Sequence, residues 1–409
     1  MNVFLVGNGY DLHHEFPTGY INFLNTIKFL VEKYDDSFTS VGKIFGDSEL
    51  HQKDSFIKRC YEKHHKVYDS TFLEKEKIEG MITNIKNNMW FNYFINAVIK
   101  DIKWIDFEKE IIRVLDAFEN FFDYDDSLKL INDQVVFNIN EYPDNVEDRY
   151  ILSQFNFFFE ECDDAWLGRA HMMRVKQKYA AEKIAGSNSY HILEDEIATE
   201  LYLSLREFSN ILKEYLYYFV DAPSREYTKL GIKPKFTGIP IPNRVYSFNY
   251  TNTFEILYDN NAINHIHGNT NTEIVIGINP NEKDYIENVN TTFLQFKKYF
   301  QRVFFKTDIL FINQINSLKR TPRCNDSKLF VIGHSLDSTD QDIIKQIFES
   351  AKSITILYHN EISVKNQIKN LIEIYGKDGF DKLREEKDLQ FNHQGEIKWE
   401  CESGTDNWI

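Results

Sequence analysis

Cysteine is scarce in this chain: four in 409 residues, Cys60, Cys162, Cys324 and Cys401, with no CxxC pair among them. That spacing signals neither a zinc ribbon nor a disulfide framework, and it fits a reducing compartment. With no clustered metal-ligand motif, no metal is expected. Long apolar runs are missing too. No stretch of 18 apolar residues occurs and the opening run is too short for a signal peptide, so a soluble, cytoplasmic protein without a membrane segment is expected. Basic residues are outnumbered, 47 Lys and Arg against 63 Asp and Glu, a formal charge of −16. Such a field repels phosphate backbones and disfavours non-specific nucleic-acid binding, although plain solubility is the commoner reason for an acidic balance. Proline is sparse, eight in all, and four of them fall between 222 and 243, which marks that stretch as a connector.

What is abundant is aromatic and apolar: 34 Phe and 23 Tyr within a 42% hydrophobic composition, enough for a large core. At this length two domains, or one with a large insertion, are expected. Asn2 to Val6 is a continuous apolar run ended by glycine, the pattern of a parallel strand covered on both faces. From Thr18, read as an N-cap, Tyr20, Phe23, Leu24, Ile27 and Leu30 recur at helical spacing. Beyond Lys28 helical periodicity dominates, as in Phe107, Ile111, Val114, Leu115 and Phe118, and in Ile197, Leu201, Leu205, Phe208, Leu212 and Leu216. Strand signals return at Val245–Phe248, Ala262–Ile266, Glu273–Ile276, Leu329–Ile332 and Ile354–Tyr358, the last two separated by a helical pattern. The expectation is an α/β chain: a Rossmann-like, mostly parallel sheet from 1–27 and 243–375, an α-helical insertion and connector over 28–242, and a tail, 376–409.

In open parallel sheets ligands bind beyond the carboxyl ends of the strands. Four strand ends here carry small or hydrogen-bonding residues: Gly7-Asn8-Gly9-Tyr10-Asp11, Asn249-Tyr250-Thr251-Asn252, His267-Gly268-Asn269 and Gly333-His334-Ser335. Each has a plain structural explanation. Gly7 and Gly9 suit a tight turn, Asn249 a helix cap, Ser335 a turn hydroxyl, since no G-x-S-x-G elbow surrounds it. His265 and His267 share a strand face, so which imidazole faces the site is open. Their coincidence at four strand ends favours a nucleotide site.

The segments LVGNGYDLHHEFPTGYINFL (5–24), WIDFE (104–108), YSFNYTNTFE (246–255), HIHGN (265–269) and FVIGHSLDSTDQDI (330–343) resemble, in order, those of the AbiH family of phage abortive-infection proteins. That family is in turn remotely similar to sirtuin-like NAD-binding domains. The resemblance implies that Gly7, Asn8, Gly9 and Asp11 hold a pyrophosphate and the neighbouring ribose. Gly333, His334 and Ser335 would then contact the other end of the dinucleotide. Asn249, with Thr251 and Asn252 beside it, would position a water and the nicotinamide ribose, and His267 would serve as general base or ribose partner. The implied reaction is hydrolysis of NAD at the nicotinamide glycosidic bond.

Two departures bear on this. The asparagine turn reads Asn249-Tyr250-Thr251, so a carboxylate is missing there, and Phe16-Pro17-Thr18 lacks the arginine of deacylating sirtuins. Glu108 would offset the first as acid, base or oxocarbenium stabiliser, although Asp106 and Glu108 also suit the start of a helix. The alternative function is a non-catalytic nucleotide sensor whose helical insertion docks a partner. Expected partners are a dinucleotide, a phage or host protein as trigger, and a second copy or another defence protein.

Overall fold

The computed structural model describes residues 1–99, 106–123, 128–131, 134–138, 146–155, 157–163, 171–183, 185, 189–236, 239–260, 263–279, 291–320, 327–395 and 397–401. Trp104, Ile105, Ala262 and Cys324, used above, lie outside them. The chain forms two compact units, 1–82 with 209–279 and 298–409, and 83–208 with 280–297. The division thus runs at 82/83 and 208/209, whereas the sequence reading drew it at 27/28 and 242/243.

The first unit is built on six parallel strands: β1 (Asn2–Val6), β2 (Arg244–Ser247), β3 (Ile263–His265), β4 (Lys328–Ile332), β5 (Ser353–Tyr358) and β6 (Leu389–His393). Their order across the sheet is β3-β2-β1-β4-β5-β6. Leu5 pairs with Tyr246 on one side and Val331 on the other, so β1 is central. The two-residue period of a strand sorts its side chains between two cores. Val3 and Leu5 join Val331, Ile354 and Ile356 beneath Ile344, Ile347 and Leu371, from helices Gln341–Ser350 and Glu361–Glu386. Phe4 and Val6 join Tyr10, Val245 and Phe254 on the opposite face. A run apolar at every position is therefore what a strand covered on both faces requires. The fold is Rossmann-like.

Several expectations change. Gly19, not Thr18, caps helix Tyr20–Lys33, and the Thr18 hydroxyl turns instead to Asn8 Oδ1. Glu273–Ile276 is not a strand: its Val275 N–H donates to His267 O at 2.9 Å, and Ile276 O accepts from Gln301 Nε2 at 2.8 Å. A side chain takes the place of a neighbouring strand. Residues from 376 continue a helix to Glu386, kinked at Gly376, and then form β6, an edge strand whose mostly exposed side chains leave no apolar run to read.

The helices read from periodicity fall in both units, Tyr20–Lys33 in the first, Phe107–Phe122 in the second, and Glu194–Leu216 across the 208/209 division. Phe107, Ile111, Val114, Leu115 and Phe118 are all buried on Phe107–Phe122. The second unit is not wholly helical, since Lys129–Ile131, Gln134–Asn138, Phe158–Asp163 and His171–Val175 form a four-stranded antiparallel sheet. Strands of three to six residues are too short for their alternation to stand out from neighbouring helical patterns. Among the described residues no helix is long and apolar enough to cross a membrane.

Candidate functional site

With all strands parallel, the four strand ends singled out above share the carboxyl edge of the sheet. The strand order reverses direction between β1 and β4, and in open parallel sheets the crevice that takes a ligand lies at such a switch point. The two turns flanking it interlock. Gly7 N–H donates to Ile332 O at 3.0 Å, Gly9 N–H to Gly333 O at 2.7 Å and Tyr10 N–H to Gly7 O at 2.9 Å. Gly333 has φ +64°, and a Cβ there would lie 2.0 Å from Tyr10 N; a Cβ on Gly7 would lie 2.7 Å from His334 Cα. Close backbone packing thus accounts for the glycines, and the N–H groups of Gly7 and Gly9, two of the residues expected at a pyrophosphate, already have acceptors. Asn8 is exposed and shares two hydrogen bonds with Thr18.

The helical turn Gly9–His13 carries Asp11 inward, to 0% exposure. Its Oδ2 accepts from Asn249 Nδ2 at 3.1 Å and Thr251 Oγ1 at 2.6 Å, and its Oδ1 accepts from the Thr253 hydroxyl. The carboxylate missing from the asparagine turn is therefore supplied by a residue 238 positions away. Burial pushes Asp11 up to about 7 against the pull of those two hydroxyls. Beside it Asn252 donates from its backbone and its Nδ2 to Asp221, which is also 0% exposed and also accepts from the Thr270 hydroxyl. Thr251 and Asn252, expected at the nucleotide, hold buried carboxylates in this arrangement.

The histidines separate. His265 pairs with Glu255 at 2.5 Å through Nε2 and meets Asn249 O at 3.1 Å through Nδ1. Although burial works against it, the Glu255 carboxylate keeps the His265 pKa raised. His267, just past β3, is 3% exposed and meets Asp340 Oδ1 at 2.9 Å through Nε2. The same oxygen accepts from Lys298 Nζ at 2.9 Å. Against the cost of burial, Lys298 and His267 hold Asp340 well below the usual carboxylate range. Burial, aided by Lys298 and Arg302 and opposed by Asp340, lowers His267. An ionised Asp340 accepts the Nε2–H, so the neutral ring has its lone pair on Nδ1, a buried atom with no hydrogen-bond partner among the described residues.

His334 is fixed the other way, since its Nδ1 accepts from Leu336 N–H at 2.8 Å and its Nε2 stands 3.7 Å from Asp340 Oδ2. Burial lowers it to about 4. The Phe248 ring centroid lies 5.2 Å from that of His267 and 4.4 Å from that of His334. The β4 turn also carries Leu336 at φ +58°, a strained conformation for a branched side chain. Ser335 is exposed and its carbonyl accepts from Asn370 Nδ2 at 2.9 Å.

Glu108 belongs to the second unit, in the first turn of Phe107–Phe122, where Asp106 caps its N–H at 3.1 Å. Sequence reasoning missed Lys298, Asp340, Arg302 and Asp221. Asp340 stood inside a quoted motif as one of several polar turn residues, and Lys298 opens a helix, Lys298–Phe305, whose pattern is dominated by Tyr and Phe.

No curated protein and no solved structure matches the chain. The family profile described as bacteriophage abortive infection AbiH matches residues 3–359, from β1 through β5 and the whole of the crevice edge, and on that match the chain belongs to the AbiH family.

Proposed function

We propose that this abortive-infection protein binds a nicotinamide dinucleotide in the β1/β4 crevice and hydrolyses its glycosidic bond. The observation that carries the reading is His267: Nε2 tied to an ionised Asp340, a neutral ring, and a buried Nδ1 without a partner among the described residues. That is the form a general base needs near neutral pH. Water attacks C1′ of the nicotinamide ribose, the glycosidic electron pair leaves with the nicotinamide nitrogen, and the water proton passes to His267 Nδ1. The products are ADP-ribose, nicotinamide and a proton. Asn249, whose Nδ2 is held by Asp11 and whose buried Oδ1 lacks a partner among the described residues, supplies an acceptor for the ribose or the water. The residues fit the ribose end better than the phosphate end, because Gly7, Gly9 and Tyr10 N–H groups are already engaged.

A second reading, binding without turnover, is favoured by the burial of the same groups: Asp11 0%, Asn249 6%, His267 3% and His334 6% exposed. Nicotinamide release by purified protein, with and without lysate from phage-infected cells, separates the two. Release in either condition supports hydrolysis. Absence of release in both, together with a nucleotide recovered by mass spectrometry from the denatured protein, supports the sensor and overturns the hydrolase.

A further inference from the structure

Arg302 is 1% exposed, on the helix Lys298–Phe305. Its Nη2 pairs with Asp342 Oδ2, while Nε and Nη1 are buried with no hydrogen-bond partner among the described residues. An arginine is never neutral in a protein, and a buried charged donor without an acceptor is costly, so such an arrangement calls for a missing anion. The helix is pinned in place around it. Lys298 N–H donates to Ile278 O at 2.7 Å, Gln301 Nε2 to Ile276 O at 2.8 Å, Thr307 N–H to Arg302 O at 3.1 Å and Thr307 Oγ1 to Ile266 O at 2.9 Å. The last bond sets the arginine beside the end of β3, one residue from His267. Lys298 lies one helical turn earlier on the same face and binds Asp340. Asp342 differs from these neighbours: its side chain is 34% exposed, so the ion pair reaches solvent on the carboxylate side.

We infer that Arg302 is the anion-recognition residue of this site: its guanidinium takes a phosphoryl group of a nucleotide, and Asp342 is the internal carboxylate that the phosphoryl group displaces. The glycine turn leaves this role open because its N–H groups are consumed by β4. A guanidinium with donors left on both edges, held against a solvent-reaching carboxylate, suits exchange of one anion for another. The nucleotide part rests on the reading above; the anion part does not.

Calorimetric titration of the full chain with ADP-ribose, inorganic pyrophosphate and adenosine tests it. ADP-ribose is expected to bind more tightly than pyrophosphate, and both more tightly than adenosine. Arg302→Gln should weaken ADP-ribose binding roughly 10- to 100-fold, the scale of lost charge-assisted hydrogen bonds. Asp342→Asn should strengthen it, since the competing carboxylate is gone. Because Arg302→Gln removes a buried ion pair with Asp342 and so perturbs folding as well as binding, Arg302→Lys, checked by circular dichroism, serves as the second variant and should also bind less tightly. Unchanged affinity in folded Arg302→Lys and in Asp342→Asn overturns the assignment, as does wild-type protein that binds none of the three. Pyrophosphate binding as tightly as ADP-ribose overturns the nucleotide part. Arg302-dependent binding without nicotinamide release sinks the hydrolase reading alone; release with KM untouched by both variants sinks the anion site alone.

Discussion

The crevice has two sides of opposite character. On the β1/β2 side Asp11 and Asp221 are buried acids whose oxygens are met by amide and hydroxyl donors from the 249–253 turn and Thr270, and of the 249–253 turn Asn249 Oδ1 is left over among the described residues. On the β3/β4 side paired charges, Lys298 with Asp340 and Arg302 with Asp342, surround neutral imidazoles, and donors and acceptors are left over among the described residues: His267 Nδ1, Arg302 Nε and Arg302 Nη1. Buried polar networks that are satisfied rigidify a fold, whereas leftover capacity at a strand end marks a place for a ligand. The asparagine turn is thus chiefly a frame, and the histidine side is where chemistry is to be sought.

The largest effect expected to sharpen this contrast is on turnover. His267→Ala should lower nicotinamide release by roughly 100- to 10,000-fold, the usual contribution of a positioned base, in protein shown by circular dichroism to be folded. A large loss of stability with turnover intact would reverse the assignment of the two sides.

Asp11 should show itself through pH. Its carboxyl titrates near 3.8 when unfolded and at about 7 when folded, so the native state keeps a proton that the unfolded chain has released. Stability from this group is full below the lower value and is lost as pH rises through the upper one. Relative to Asp11→Asn, the wild type should lose on the order of 4 kcal/mol between these limits and little beyond them. Urea midpoints of both proteins across that range measure it, and parallel curves would break the account of a buried, proton-holding acid.

Gly333 joins the two sides. Alanine there meets Tyr10 N at 2.0 Å and an unfavourable φ of +64°, so Gly333→Ala should cost roughly 3 kcal/mol in chemical denaturation. A silent substitution would mean that the β1 and β4 turns are not interlocked. The smallest effects lie in the second unit. Asp106→Ala should cost about 1 kcal/mol as a lost helix cap, and Glu108→Gln a few tenths if it only complements the helix dipole. Loss of nicotinamide release in Glu108→Gln without a stability change would instead assign it to the reaction.

Periodicity in the sequence carried the strands at 2–6, 245–248, 329–332 and 354–358 and the long helices, because burial on a regular element repeats every two or 3.6 residues. It also singled out the residues after each strand, since polar and small residues following an apolar run are a local signal. It did not carry β6, whose side chains face solvent at the sheet edge, or the antiparallel strands of the second unit, which are short. The sequence by itself thus determined the elements and the chemistry available at their ends. Tertiary structure alone decided the order β3-β2-β1-β4-β5-β6, the supply of Asp11 to Asn249 from 238 residues away, the use of the glycine N–H groups by β4, and the pairing of His267 with Asp340 and of Arg302 with Asp342. These partners are set by which strands lie side by side, and that is a long-range outcome that no local pattern encodes.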